Sequence, residues 1–186
     1  PPKFIWANSS AQARDIIGSE EDIDMIICMY NEQDKEIFPF ASRLKDEGRG
    51  IPFILLIHYS KAVRQRVLES PHPGVDFVFS WHGNADLILA IVKLLEDAAN
   101  AENDVFEVGV KGILLVEDSI RYYSNYLPEL YKIVLTQSRE FLTESLNDDQ
   151  KKYRKRSRPK IFLATCLEEA IAYFEKYRRN LLGVIS

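Results

Sequence analysis

The sequence predicts an α/β fold in which a parallel β-sheet carries helices on both faces. Continuous apolar runs, such as "DMIICMY" at residues 24–30, alternate with amphipathic segments of helical period. Strand, helix, strand recurs along the chain, the order of a parallel sheet built from crossover connections. The chain also repeats itself. "KFIWANSSAQA" (3–13) and "KIFLATCLEEA" (160–170) align without a gap, and each is followed at the same interval by a buried strand, "MIICM" and "LGVIS". The repeat implies two related units, 1–108 and 109–186.

Taken in order, "KFIWAN" (3–8) reads as a strand and the segment behind it as a helix opened by a serine cap. "EIFPFASRLKDEG" is a helix stopped by Gly48, and "IPFILLIHYS" is the next strand. "KAVRQRVLES" reads as a short helix and "GVDFVFSW" as a strand. "NADLILAIVKLLEDAANA" is a helix capped by Asn84, with Leu87, Ile91 and Leu94 on one face. After the polar "NAENDVFEVGVKG" the pattern restarts with "ILLVED". A long helical segment over 119–153 follows, which Pro128 kinks or divides. "KIFLAT" is then a strand, "CLEEAIAYFEKYRRN" a helix and "LLGVIS" a strand.

The 186 residues carry a net charge of −4, which gives no global nucleic-acid signature. No apolar run approaches the roughly 18 residues a bilayer crossing needs, and "PPKFIWANSS" lacks the basic start and apolar core of a secretory signal. The expectation is a cytoplasmic protein with neither membrane nor nucleic acid as partner. Cys28 and Cys166 each lie in or beside an apolar run and read as buried free thiols. "KKYRKRSRPK" (151–160) is strongly basic and reads as a solvated loop balancing the neighbouring "NDDQ", in preference to an anion-docking patch. His58, His72 and His82 do not have metal-ligand spacing. Tyr122, Tyr123, Tyr126 and Tyr131 fall roughly on one helical stripe, as core or interface residues do. No glycine-rich phosphate loop or nucleophile elbow appears, which counts against a flavodoxin-like enzyme or small-ligand domain.

One stretch stands apart. In "GILLVEDSIRYY" (112–123) a buried strand ends in two adjacent acids, Glu117 and Asp118. With both units in view the chain resembles the response-regulator receiver family, the CheY-like phospho-acceptor domains of two-component signalling. Receivers have a flavodoxin-like, doubly wound sheet of order 2-1-3-4-5, with their site at the carboxyl ends of strands 1 and 3. The resemblance implies that Glu117 and Asp118 are acids of a Mg²⁺ pocket, which they alone would fill weakly. It implies a histidine kinase or phosphotransfer protein as partner, a downstream output domain, and a regulatory rather than an enzymatic role.

The first unit departs from the family wherever its functional positions can be placed. Met29 or Tyr30 stands at the acceptor position, Ile57 or His58 at the Thr position, and Ser80 with Trp81 where Lys-Pro is expected. The first unit therefore resembles a degenerate, non-phosphorylatable pseudo-receiver. In the second unit, "LLGVIS" stops at Ser186, one residue before the position at which the repeat puts the acceptor aspartate, so a longer protein is expected. The first unit also has no strand 1. Either 113–117 fills that slot, giving a permuted receiver, or a second copy supplies the strand, giving a swapped dimer. The extended helix after Asp118 suits packing in a homodimer; a purely structural pseudo-receiver pair is the alternative reading.

Overall fold

A computed structural model describes residues 3–19, 22–58, 60, 63, 67, 73–143 and 158–186, with backbone alone for 141–143. The chain divides into two compact units, Pro1–His82 and Gly83–Ser186. The break comes before the helix that follows "GVDFVFSW", and not at the 108/109 junction read from the polar stretch. That helix packs on elements of the second unit.

In the first unit, strands β1 (Ile26–Met29), β2 (Phe53–His58) and β3 (Phe77–Trp81) form a parallel sheet in the order β1-β2-β3. The register sets Cys28 beside Leu55 and Leu55 beside Val78. β2 is central, and Phe53, Ile54, Leu55, Leu56 and Ile57 are all buried, as the unbroken apolar run requires. Helix α1 (Ser10–Ser19) opens with a reciprocal cap. Ser9 Oγ accepts from the Gln12 N–H at 3.2 Å, and Gln12 Oε1 accepts from the Asn8 N–H at 2.8 Å. Helix α2 (Ile37–Asp46) buries Ile37, Phe40, Ala41 and Leu44 and ends at Gly48, whose φ of 68° is the left-handed stop the sequence predicts. Asp76 ties the ends of these elements, accepting from the Phe53 N–H at 2.7 Å and from Lys45 Nζ at 2.6 Å.

"KFIWAN" does not form the expected strand. Residues 3–7 have no regular structure, and Phe4 and Trp6 are 68% and 84% exposed. In the 2-1-3 order, strand 2 pairs only with strand 1, and this sheet ends at β1. An apolar run with no ladder to join stays in solvent. Most of the "KAVRQRVLES" helix, and His72, lie outside the described residues.

The second unit has strands β4 (Gly112–Val116), β5 (Lys160–Ala164) and β6 (Leu181–Ile185), parallel and in the order β5-β4-β6. β4 is thus claimed by β5 and β6, which rules out the permuted arrangement within the chain, in which it would have paired with β1. Helices α3 (Asp86–Glu102), α4 (Ile120–Thr143) and α5 (Leu167–Tyr177) complete the unit. The connections β4-α4-β5 and β5-α5-β6 run in opposite directions along the sheet, so right-handed crossovers place α4 and α5 on opposite faces. β5 is buried along its whole length. α3 packs against α4 and β5 and ends in a π turn over Asn103–Glu107. Ala101 and Val105 join Leu114, Phe162, Ala164, Ala170 and Tyr177 in one core cluster, within which the Phe162 and Tyr177 rings stack at 4.6 Å. α4 runs unbroken through Pro128 to Thr143, and the rest of the predicted long helix lies outside the described residues.

Candidate functional site

The two acids sit where the order of the second sheet reverses. β4 is the central strand, with β5 on one side and β6 on the other, and its carboxyl end is a topological switch point. The ladder continues one residue past Val116, because the Glu117 N–H donates to the Ala164 carbonyl at 3.0 Å. This bond fixes the backbone from which both carboxylates project. Glu117 is half-buried and Asp118 exposed. Glu117 Oε1 accepts from the Ser119 N–H at 3.0 Å, so Glu117 caps the start of α4. Glu117 Oε2 and the Asp118 carboxylate make no hydrogen bond among the described residues. On the other flank Leu115 is level with Ile185, which carries Ser186 to the same edge of the sheet.

Thr165, after β5, donates from its N–H and its Oγ1 to Glu169 Oε2 at 2.8 and 3.1 Å, so Glu169 serves the start of α5. Burial, with Glu169 adding to it, pushes the pKa of the Tyr123 phenol far above its ordinary range. Among the described residues no three histidines, cysteines or acids group to hold a metal. Two adjacent carboxylates such as Glu117 and Asp118 would be only part of an oxygen shell, and the ion that such a pair would suit is one that keeps several waters, as Mg²⁺ does.

The carboxyl ends of the first sheet carry no carboxylate on the residues read as its functional positions. Met29 ends β1 at 40% exposure, and Tyr30 follows it with its ring centroid 6.0 Å from that of Phe38. Ile57 is buried, and His58 ends β2 exposed to solvent. Ser80 is buried on β3, its Oγ 3.0 Å from His82 Nε2.

A second polar cluster was not anticipated. Asp97, on the apolar face of α3, is fully buried. Arg158 grips it with two bonds, from Nη2 to Oδ1 at 2.6 Å and from Nη1 to Oδ2 at 3.0 Å. The Tyr131 hydroxyl and the Ile161 N–H each donate to Oδ2 at 3.0 Å. Lys160 lies 3.5 Å from Asp97 Oδ1 and pairs with Asp104. Burial alone would lower the pKa of Arg158, but the hydrogen bonds and charge of Asp97 outweigh it and raise the value above the ordinary one. Tyr131 is driven sharply upward, by burial first and then by the Asp97 charge. The last residues of the basic run thus turn inward as counterions instead of balancing "NDDQ" in solvent; 151–157 lie outside the described residues. The signal was an acid three residues after Leu94 on an otherwise apolar stripe.

Two further expectations change. Cys166 is exposed, because it stands at the start of α5 beyond the sheet, whereas Cys28 is half-buried in β1. The tyrosines divide between two faces: Tyr123 and Tyr131 are buried, and Tyr122 and Tyr126 are exposed. Around the helix Tyr131 lies about 80° to one side of Tyr123, and Tyr126 and Tyr122 lie about 60° and 100° to the other. No helix of the described residues is long and apolar enough to cross a membrane. Compared with known protein families, with curated proteins and with solved structures, the chain matches none.

Proposed function

We propose that the second unit is a receiver-type signalling module and that the first is a pseudo-receiver without phospho-acceptor chemistry. The observation that carries the reading is the position of Glu117 and Asp118, at the carboxyl end of the central strand of a β5-β4-β6 parallel sheet. That order corresponds to strands 2-1-3 of the receiver arrangement, and β1-β2-β3 corresponds to strands 3-4-5. Glu117 Oε2 and Asp118 would hold Mg²⁺, which supplies the positive charge that lets a phosphoryl group approach a carboxylate. The residues of this chain hold the geometry. The Glu117–Ala164 ladder bond fixes the backbone, the Ser119 N–H orients one carboxylate, and β6 brings its end alongside. On this reading the acceptor follows Ser186, the protein acts on an output domain, and its phosphoryl donor is a histidine kinase or phosphotransfer protein.

Mn²⁺, a paramagnetic substitute for Mg²⁺, tests the pocket in the chain itself. Selective broadening of the amide signals of 117–119 and 185–186, displaced by Mg²⁺ and abolished in both Glu117→Ala and Asp118→Ala, is the expected result. The capping bond from Glu117 to Ser119 supports a purely structural pair of pseudo-receivers instead. Uniform weak broadening, unchanged in both variants, would select that second reading.

A further inference from the structure

We infer that the solvent face of α4 is a homodimer interface, in which two copies of the helix pack antiparallel about a two-fold axis. α4 has 24 residues and so is about 36 Å long. Its buried face carries Ile120, Tyr123, Leu127, Tyr131 and Val134. A second side, about 100° around the helix from the first, is also apolar along one stripe: Tyr122, Tyr126 and Ile133 are 48%, 46% and 54% exposed, and Leu130 lies between them half-buried. These residues recur at intervals of four, four and three, one continuous line along the helix. The Tyr122 and Tyr126 rings are already stacked, 5.9 Å apart and 9° from parallel, so little side-chain freedom remains to be lost on docking.

The charges beside the stripe select a second copy over an unrelated protein. An antiparallel pair related by a two-fold axis brings the same flank of each helix together. Centred near Leu130, it sets Tyr126 against Ile133 of the other copy and Leu130 against its own equivalent. On the adjoining flank, Glu129 meets Lys132 and Asn125 meets Thr136. Each of these contacts occurs twice, as an isologous interface requires. Glu129 and Lys132 are exposed. A single sequence that places opposite charges at positions exchanged by the symmetry is complementary to itself. The inference concerns a surface separate from Glu117 and Asp118, and it stands or falls independently of the receiver reading.

The test is sedimentation of the chain over a range of concentrations, alone and with charge reversals. The parent should show a monomer–dimer equilibrium. Lys132→Glu and Glu129→Lys, each placing like charges in register, should each weaken the dimer by about ten-fold. The double variant E129K/K132E should regain the parent affinity, and an equimolar mixture of the two single variants should form a mixed dimer. Circular dichroism of each variant confirms that the helix is retained. A chain that stays monomeric at all concentrations overturns the inference. So does a dimer that both reversals leave unchanged, which would place the contact elsewhere, for example on the exposed β6.

Discussion

Replacing Asp97 should cost the second unit a large part of its stability. In Asp97→Ala the Ile161 N–H and the Tyr131 hydroxyl lose their acceptor, and each unsatisfied buried donor costs about 1–3 kcal/mol. Arg158 loses both of its bonds to the carboxylate and has a side chain only 10% exposed, so its charge is left in a poorly solvated site. Lys160 keeps Asp104 and adds little to the loss. Because Arg158 lies close enough to the surface to turn outward, these losses do not simply add. The removal of one partner from a buried ion pair sets the scale, about 3–5 kcal/mol. A domain of this size has about 5–15 kcal/mol in all, so roughly a fifth or more of it is at stake. Urea denaturation followed by circular dichroism measures the difference, and the midpoint should fall with little change in slope. Raising the salt should not reproduce the effect, since a buried pair is weakly screened. Asp97→Leu combined with Arg158→Met removes both charges together and should recover part of the loss. A change below about 1 kcal/mol in Asp97→Ala, the scale of an exposed ion pair, would refute the argument that this network holds α3 to β5.

Other consequences follow from close packing and from burial. A Cβ on Gly74 would overlap the backbone of α2 at Ala41 and Ser42, which cannot yield as a side chain can, so Gly74→Ala should lower the melting temperature of the first unit by several degrees. In Gly112→Ala the new methyl meets the Phe162 ring at 2.5 Å; the variant should fold with the ring displaced, visible as shifted aromatic NMR signals of Phe162 and Tyr177. Burial, with Asp34 adding to it, pushes the Cys28 thiol up to about 11 from 9.0. At pH 8 iodoacetamide should therefore alkylate exposed Cys166 well before Cys28, and intact mass reads the two steps apart. The folded state holds the Cys28 proton more tightly than the unfolded chain does. Its contribution to stability is full below pH 9.0 and is lost as the pH rises through about 11. Equal labelling of both thiols in the native protein would contradict this burial.

Much of the fold was legible because buried parallel strands have few ways to be written. "IPFILLIHYS", "ILLVED" and "KIFLAT" became β2, β4 and β5, each a run that only a sheet covered on both faces can hide. Capping chemistry was equally readable: Asn84 accepts from the Asp86 N–H at 3.0 Å, and Gly48 ends α2. "KFIWAN" misled because strand formation depends on a partner as well as on composition, and its counterpart in the repeat, "KIFLAT", had β4 to pair with. The site was half legible. Paired acids after an apolar run mark a strand end in the sequence, but only the folded structure shows that Glu117 is the carboxylate that caps α4. The Asp97 network was missed because its members lie up to 64 residues apart, and a basic run looks alike whether its side chains face solvent or a buried acid.

The same network decides where the second unit begins. The receiver pattern places its start at 109, just before β4, and assigns α3 to the unit before it. Yet α3 brings Asp97 to Arg158 and Ile161. Its continuation brings Asp104 to Lys160 and Val105 to the cluster around Phe162 and Tyr177. A polypeptide of residues 109–186 would keep the cations and lose both acids, and it would expose Leu114, Phe162 and Tyr177 where Ala101 and Val105 now cover them. One of residues 83–186 keeps every group named. The longer piece should therefore show a cooperative unfolding transition and slow amide exchange in β4 and β5, and the shorter one neither. Equal behaviour of the two would show that α3 is only laid against the second unit. A difference would show that the helix leaving the first sheet is a structural part of the second unit, so that a perturbation of β5 reaches α3 through Arg158.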